Sequence, residues 1–427
     1  MRTVIAVLVL SVCLRAQRTL TLREALELAD RLNPDVQAAR LRILENEARA
    51  GATRSAYGPQ VEARAAGTYQ TINLQGVGLL FPGAPSRIGP FRTFDARPVV
   101  RQTVLDAPLL EQIRAAQFGV AASRKDEEAV RETVRLAVAV LYLQAFQADS
   151  RIRAAEARLE TAAAALAQAR EKESGGTASK LDVARAEEQQ ESERVRLIEA
   201  RRDREVLVSL LRRTIGVEDA GGLALAEPPA PRMGLTASGE ALGEALRQRA
   251  EIDAAASRID AAAAEVRRAE RERWPRLDFS GGFGLSGAGP DQSLSTWSIG
   301  AALTVPLWTS GRIENGVKEA RARRNQAEQA ARQAKLTIAQ EVEQAGIEVE
   351  AAARAFQAAS RAAAAARESL ELARLRFGAG LTTNLDVIAA QGALAEAEEA
   401  AIRARYDGQV AAARLARARG SVLGYFD

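Results

Sequence analysis

The chain has 427 residues, 47% hydrophobic and 27% charged, with aromatics at only 4% and a formal net charge of +4. It has no histidine, one cysteine (Cys13) and two methionines (Met1 and Met233), which excludes imidazole acid–base chemistry, catalytic triads and nearly all zinc or soft-metal geometries. Arginine and glutamate alternate along the same segments, the pattern of solvated helix faces; no basic stripe for nucleic acid, no cofactor and no enzyme activity is expected.

Residues 1–16 read as a signal peptide: Arg2 gives the positive start, residues 4–12 an apolar core and Ala16 a small residue for cleavage. That core is too short to span a bilayer as a helix. Cys13 follows Val12, where acylation of a lipoprotein cysteine calls for a small residue.

The mature chain divides into a first structural repeat (17–216), a linker (217–239), a second repeat (240–420) and a tail (421–427). Residues 21–55 read as a helix, with Thr21 as N-cap and Glu24 three residues on as a capping box. Two strands follow. In the first, Val61, Ala63, Ala65, Gly67 and Tyr69 alternate with Glu62, Arg64, Ala66 and Thr68. In the second, Phe94, Ala96, Pro98, Val100, Gln102 and Val104 share a face, and Pro98 suits an edge or a bulge. A Gly- and Pro-rich loop at 76–90 lies between them. A long helix over 108–172 comes next, then a tight turn at Gly176 and Thr177, then a returning helix that carries Asp182 just after Ser179.

The linker holds Gly221, Gly222, Pro228, Pro229 and Pro231, which break both neighbouring helical patterns. Beyond it the order repeats: a helix over 239–273, strands over 277–285 and 297–307, a helix over 312–377, and a turn at Gly380, Leu381, Thr382 and Thr383 leading into Asp386. Residues 35–39 resemble 251–255 at an offset of 216, which Pro59 and Pro275 keep; residues 176–183 resemble 380–387 at an offset of 204. The difference puts extra residues into the first copy, and the 76–90 loop is the natural place for them. Each long helix would extend about 100 Å at 1.5 Å per residue, suited to a rod or tube.

The strands carry the membrane argument. Leu277, Phe279, Phe283 and Leu285 share one face, and so do Trp297, Ile299, Ala301, Leu303, Val305 and Leu307; the opposite faces are small or polar. Segments of about ten residues that are apolar on one side match barrel strands between lipid and a wet lumen. A soluble half-buried hairpin alternates in the same way. Trp297 and Trp308 flank the last strand where interface aromatics are expected. Four strands cannot close a barrel, and open edges in lipid leave backbone groups without partners. The chain must then oligomerise, and a trimer with twelve strands and twelve helices is the simplest closure.

These features resemble the TolC family of outer-membrane efflux proteins over essentially the whole mature chain. The resemblance rests on residues 22–39, on Arg273-Trp274-Pro275-Arg276-Leu277 entering a strand, on Val305-Pro306-Leu307-Trp308-Thr309-Ser310-Gly311-Arg312 leaving one, and on the tips at 174–187 and 376–391. It implies a mainly α fold with membrane β-strands: a homotrimer whose helical hairpins form an α-barrel across the periplasm below a twelve-stranded β-barrel in outer-membrane lipid. It implies an exit duct of a tripartite efflux pump or type I secretion system. A periplasmic adaptor would meet the tips at Gly176, Thr177, Gly380 and Leu381, driven by an inner-membrane pump. The family's gate carboxylates correspond to Asp386 and Asp182, with Thr382 and Thr383 beside them. A second gate carboxylate of some members falls at Ala389, and a gate arginine at Thr382. From the residues alone, both aspartates equally suit helix N-termini, where the dipole favours an acid. The competing class is a periplasmic adaptor-like coiled-coil protein without a membrane barrel; it leaves the apolar strands unexplained.

Overall fold

The structure, a computed structural model, describes residues 19–74, 76, 78, 85–218, 224–228, 238–379, 381–382 and 384–423; the leader with Cys13 lies outside them. The chain divides into two compact units, one of residues 1–40, 126–252 and 335–427, the other of residues 41–125 and 253–334.

The first unit is helical. Its entry helix α1 (Leu22–Leu32) starts at the expected capping box: Thr21 Oγ1 accepts from the Glu24 amide at 3.2 Å, and Glu24 Oε2 accepts from the Thr21 amide at 3.0 Å. The helix expected over 21–55 is broken, however, and α2 spans Pro34–Ser55. Asn33 at the break is extended (φ −61°, ψ 128°), as a residue before proline prefers. Its Oδ1 accepts from the Asp35 and Val36 amides, so the break is also a fresh N-cap. The helix expected over 239–273 breaks at the equivalent place into α5 (Ser238–Gln248) and α6 (Ala250–Arg271), where Arg249 stands in place of asparagine.

The long helix α3 (Ala107–Ser174) and its return α4 (Lys180–Ile215) have as counterparts α7 (Arg312–Gly378) and α8 (Asn384–Arg419). The return helix of each repeat ends against the break at its start. Asn33 Nδ2 donates to the Thr214 carbonyl at 2.6 Å, and Arg249 Nη1 donates to the Ala418 carbonyl at 3.4 Å. After α4, Gly216 adopts φ +91°, and a Cβ there would overlap the Leu32 carbonyl; after α8, Gly420 adopts φ +122° against Gln248. Position 216 needs glycine on both counts, the left-handed backbone and the close approach.

Leu22, Leu26, Val36, Val138, Tyr142, Leu211, Ile215 and Val422 form the main core of this unit, interleaved with fully buried Ala25, Ala29, Ala139 and Ala413. Alanine lets helices approach closely, which is how a chain poor in aromatics still packs. The Tyr142 hydroxyl lies 2.7 Å from the carbonyls of Leu20 and Ala226. It braces a short parallel pairing of β1 (Thr19–Leu20) with β4 (Ala224–Leu225), so the linker contributes a strand that its turn-forming composition hides.

The second unit holds an antiparallel sheet of β2 (Gln60–Asn73), β3 (Arg87–Leu105), β5 (Arg276–Gly287) and β6 (Ser293–Thr304), in the order β2-β3-β5-β6. The inner pairing β3–β5 joins hairpins from different repeats. Pro98 does not lie at an edge as expected but inside the central strand β3. The ladder to β5 has no pairs between Ala96–Leu285 and Val99–Gly282, so the missing amide falls where strand contact is already interrupted. The last strand stops at Thr304, short of the expected 307, and Pro306 accounts for that by removing a donor. Helix packing resumes in this unit around Val266, Ala269, Ile313 and Val317. Beside it, fully buried Glu111 meets Arg267 at 2.8 Å and Arg271 at 2.7 Å, with Arg114 as a third partner.

Candidate functional site

Two regions carry the expected site residues: the hairpin tips and the faces of the sheet. At the first tip α3 runs out at Ser174, and Gly176 reverses the chain with φ +72°. The Thr177 amide and hydroxyl donate to the Lys172 carbonyl at 2.8 and 3.0 Å, closing the turn on the end of the helix. Ser179 then caps α4. Asp182 Oδ2 accepts from the Ser179 amide at 3.0 Å and its hydroxyl at 2.7 Å, while the Asp182 amide donates back to Ser179 Oγ at 3.2 Å. Those bonds hold the Asp182 carboxyl below its ordinary value. Asp182 is thus an N-terminal helix acid in a complete capping box, the role its sequence position suggests.

At the second tip the Leu381 amide donates to the Arg376 carbonyl at 2.9 Å, and the Leu381 side chain is 72% exposed. Asp386 is exposed in the first turn of α8, and the Thr382 hydroxyl donates to its carboxylate. Position 382 therefore presents a neutral donor bonded to Asp386 within its own turn. Ala389 is exposed one turn further on. Gly380 and Thr383, expected in the same turn, lie outside the described residues.

The fold brings the two tips side by side. A cavity of about 860 Å³ is lined by Lys172, Thr177 and Asp182 from the first hairpin and by Phe377, Gly378 and Val387 from the second. Across it, Lys172 Nζ sits 5.1 Å from the centre of the Phe377 ring, a cation–π contact that the sequence spacing could not reveal.

The sheet sorts its side chains as the alternation predicts. Cross-strand pairs Phe279–Ala301, Gly281–Ile299, Phe283–Trp297 and Leu277–Leu303 place the apolar residues of β5 and β6 on one face. Val100 pairs with both Val61 and Gly281, and Ala96 with both Ala65 and Leu285, so the same face runs across all four strands. It is unusually exposed for apolar surface: Phe283 63%, Trp297 72%, Ile299 68% and Leu303 66%. The opposite face carries Glu62, Arg64, Asp95, Arg97, Arg101, Thr103 and Asp278. Trp297 does not flank the last strand as expected; it stands within it, opposite Phe283, whereas Trp308 lies beyond the strand end and is exposed. The outer edges of β2 and β6 pair with nothing among the described residues. No described helix is long and apolar enough to cross a membrane.

Comparison with known proteins matches these features. The sequence profile of the family described as "Outer membrane efflux protein" covers residues 25–217 and 241–421. The pyoverdine export outer membrane protein OpmQ of Pseudomonas putida is 26% identical over 406 residues, spanning 93% of this chain and 85% of that protein. The outer membrane protein OprJ of Pseudomonas aeruginosa is 28% identical over 181 residues, 42% of this chain and 38% of its own length. The fold matches a membrane protein from Pseudomonas aeruginosa with a TM-score of 0.82 at 23% identity, covering 94% of this chain and 90% of that one. The Campylobacter jejuni CmeC outer membrane channel matches with 0.77 at 20% identity, over 93% and 85%.

Proposed function

The chain belongs to the outer membrane efflux protein family, and from that premise we propose that three copies close their sheets into one twelve-stranded barrel and their helical hairpins into a tube. It is an efflux protein of the outer membrane. The observation that carries the proposal is the four-stranded sheet with an exposed apolar face and two unpaired edges. Such edges in lipid leave backbone groups without partners at several kcal/mol each, and only closure with other copies removes them. The adaptor-like alternative has no use for this sheet.

In this reading the tips at Gly176, Thr177, Gly380 and Leu381 meet a periplasmic adaptor, which links the duct to an inner-membrane pump. Asp386 forms a ring of three carboxylates at the tube entrance, a cation-attracting constriction, with Asp182, Thr382 and Thr383 around it. Thr382 and Ala389 remove the arginine and second carboxylate of the family's gate. The closed state then rests on packing between neighbouring tips, not on a salt-bridge network. Efflux is favoured over type I secretion because the family is described by efflux and the relative OpmQ by pyoverdine export.

Single-channel recording from purified protein in planar bilayers tests this. Discrete cation-preferring openings whose selectivity falls in Asp386→Asn are expected. Openings indifferent to that substitution would reduce Asp386 to a helix-terminal acid. A protein that stays in solution without detergent and never conducts would overturn the duct.

A further inference from the structure

The polar face of the sheet holds more cations than carboxylates where all four strands run side by side. Arg101 is paired with Glu62, and Arg97 with Asp95. Arg64 is exposed and has no carboxylate partner among the described residues. Arg64 and Arg97 are directly opposite each other in the β2–β3 ladder. Asp95 offsets the charge of Arg97, which leaves Arg64 opposite it as the charge without a counterpart.

The row continues across the sheet. Gly284 of β5 is paired with Thr296 of β6 at the same level. A Cβ at Gly284 would overlap the Arg97 side chain and the Ala96 carbonyl. The glycine therefore leaves the space over which Arg97 crosses β5, where Nη2 donates to Thr296 Oγ1 at 3.3 Å while Nε donates to Asp95 Oδ1 at 2.7 Å. The Arg97 side chain is only 18% exposed and is held at both ends. Asp95 occupies the Nε–Nη2 edge of Arg97, so Arg97 offers a ligand its Nη1 on a rigid wall, opposite the whole uncompensated fork of Arg64. That geometry fits an anion with several oxygens, since a planar guanidinium fork matches carboxylate, sulfate and phosphate.

We propose that Arg64, Arg97 and Thr296 form an oxyanion-binding row on the lumen wall of the barrel. The row favours cargo bearing carboxylate, sulfate or phosphate groups at the exit, in contrast to the anionic entrance at Asp386. This rests on the reading that the polar face lines the lumen of a closed barrel. Three copies would repeat the row around the wall at one height.

The test uses inorganic pyrophosphate in magnesium-free buffer at low salt, where surface charge is least screened. Calorimetry on the detergent-solubilised full chain is expected to show binding that weakens about tenfold in Arg64→Gln, the effect of losing one charged hydrogen-bonding partner, and that returns in Arg64→Lys. Thr296→Val, which keeps all charges, is expected to weaken it less than Arg64→Gln does. No binding by the wild type, or equal binding by Arg64→Gln, would overturn the row whether or not the protein conducts. Bilayer recording separates the two readings. A conducting wild type whose anion-to-cation permeability ratio falls in Arg64→Gln supports the lumen placement. A conducting wild type with an unchanged ratio overturns that placement and leaves the duct standing.

Discussion

Replacing Glu251 with glutamine should weaken the helical unit in a way that depends on pH. Glu251 stands beside the break between α5 and α6 and takes Arg249 Nη2 at 2.9 Å and Nε at 3.1 Å, and Arg417 Nη2 at 2.6 Å. Burial alone would raise its carboxyl, but hydrogen bonds from Arg249 and Arg417 outweigh that and hold it at about 2, against an ordinary value of 4.5. A depression of this size corresponds to about 3 kcal/mol of folding free energy at neutral pH. Arg249 keeps a second partner in Glu341 at 2.6 Å, so Glu251→Gln should cost somewhat less, about 2–3 kcal/mol. A folded value below the unfolded one means the contribution is complete above about pH 4.5 and fades as pH falls through about 2. Thermal melts followed by helical circular dichroism should show a wide gap between variant and wild type at pH 7, narrowing steadily between pH 4.5 and 2.5. A gap that is constant with pH, or absent at pH 7, would refute the assignment of this stability to the carboxylate.

Gly216→Ala should lower the unfolding free energy by about 2 kcal/mol or more, through a left-handed backbone and overlap with the Leu32 carbonyl. Gly420→Ala meets mainly the side chain and backbone of Gln248 at 2.9 Å and beyond, and should cost less; chemical denaturation of both variants checks the order. Ser179→Ala removes the cap of α4 and should destabilise its first turn by about 1 kcal/mol, seen as faster hydrogen exchange at residues 180–183 with the rest of α4 unchanged. In single-tryptophan variants reconstituted into lipid with brominated acyl chains, Trp297 should be quenched strongly and Trp274 little. Equal quenching would contradict the apolar face as the lipid-facing one.

Local signals in the sequence reached most of the fold. The capping box at Thr21 and Glu24 and the alternation in 277–285 depend on neighbours in the chain, the two offsets on likeness between its halves, and each has its counterpart in the structure. Element starts follow the offsets: α1, α2, β2 and their partners differ by 216, and α4 and α8 by 204. The break at Asn33 was signalled by Pro34 and hidden by the long amphipathic run around it. The break at Arg249 has no proline and is visible only through the repeat. Pairings between distant segments were out of reach: Tyr142 under β1 and β4, Glu111 among its arginines, and Lys172 over Phe377 all depend on which helices become neighbours. At the tips the turn chemistry of Asp182 was legible. The gating assigned to it and to Asp386 depends on other copies of the chain, which no single sequence displays.

The seam between β3 and β5 is a joint of the kind that assembly between copies would need. It is the one place in the sheet where the two halves of the chain meet edge to edge, and the pairing there is between a hairpin from each half. A neighbouring copy closing onto β6 or β2 would repeat that joint without a covalent connection. Each half, with one hairpin and four helices, holds one side of such a joint.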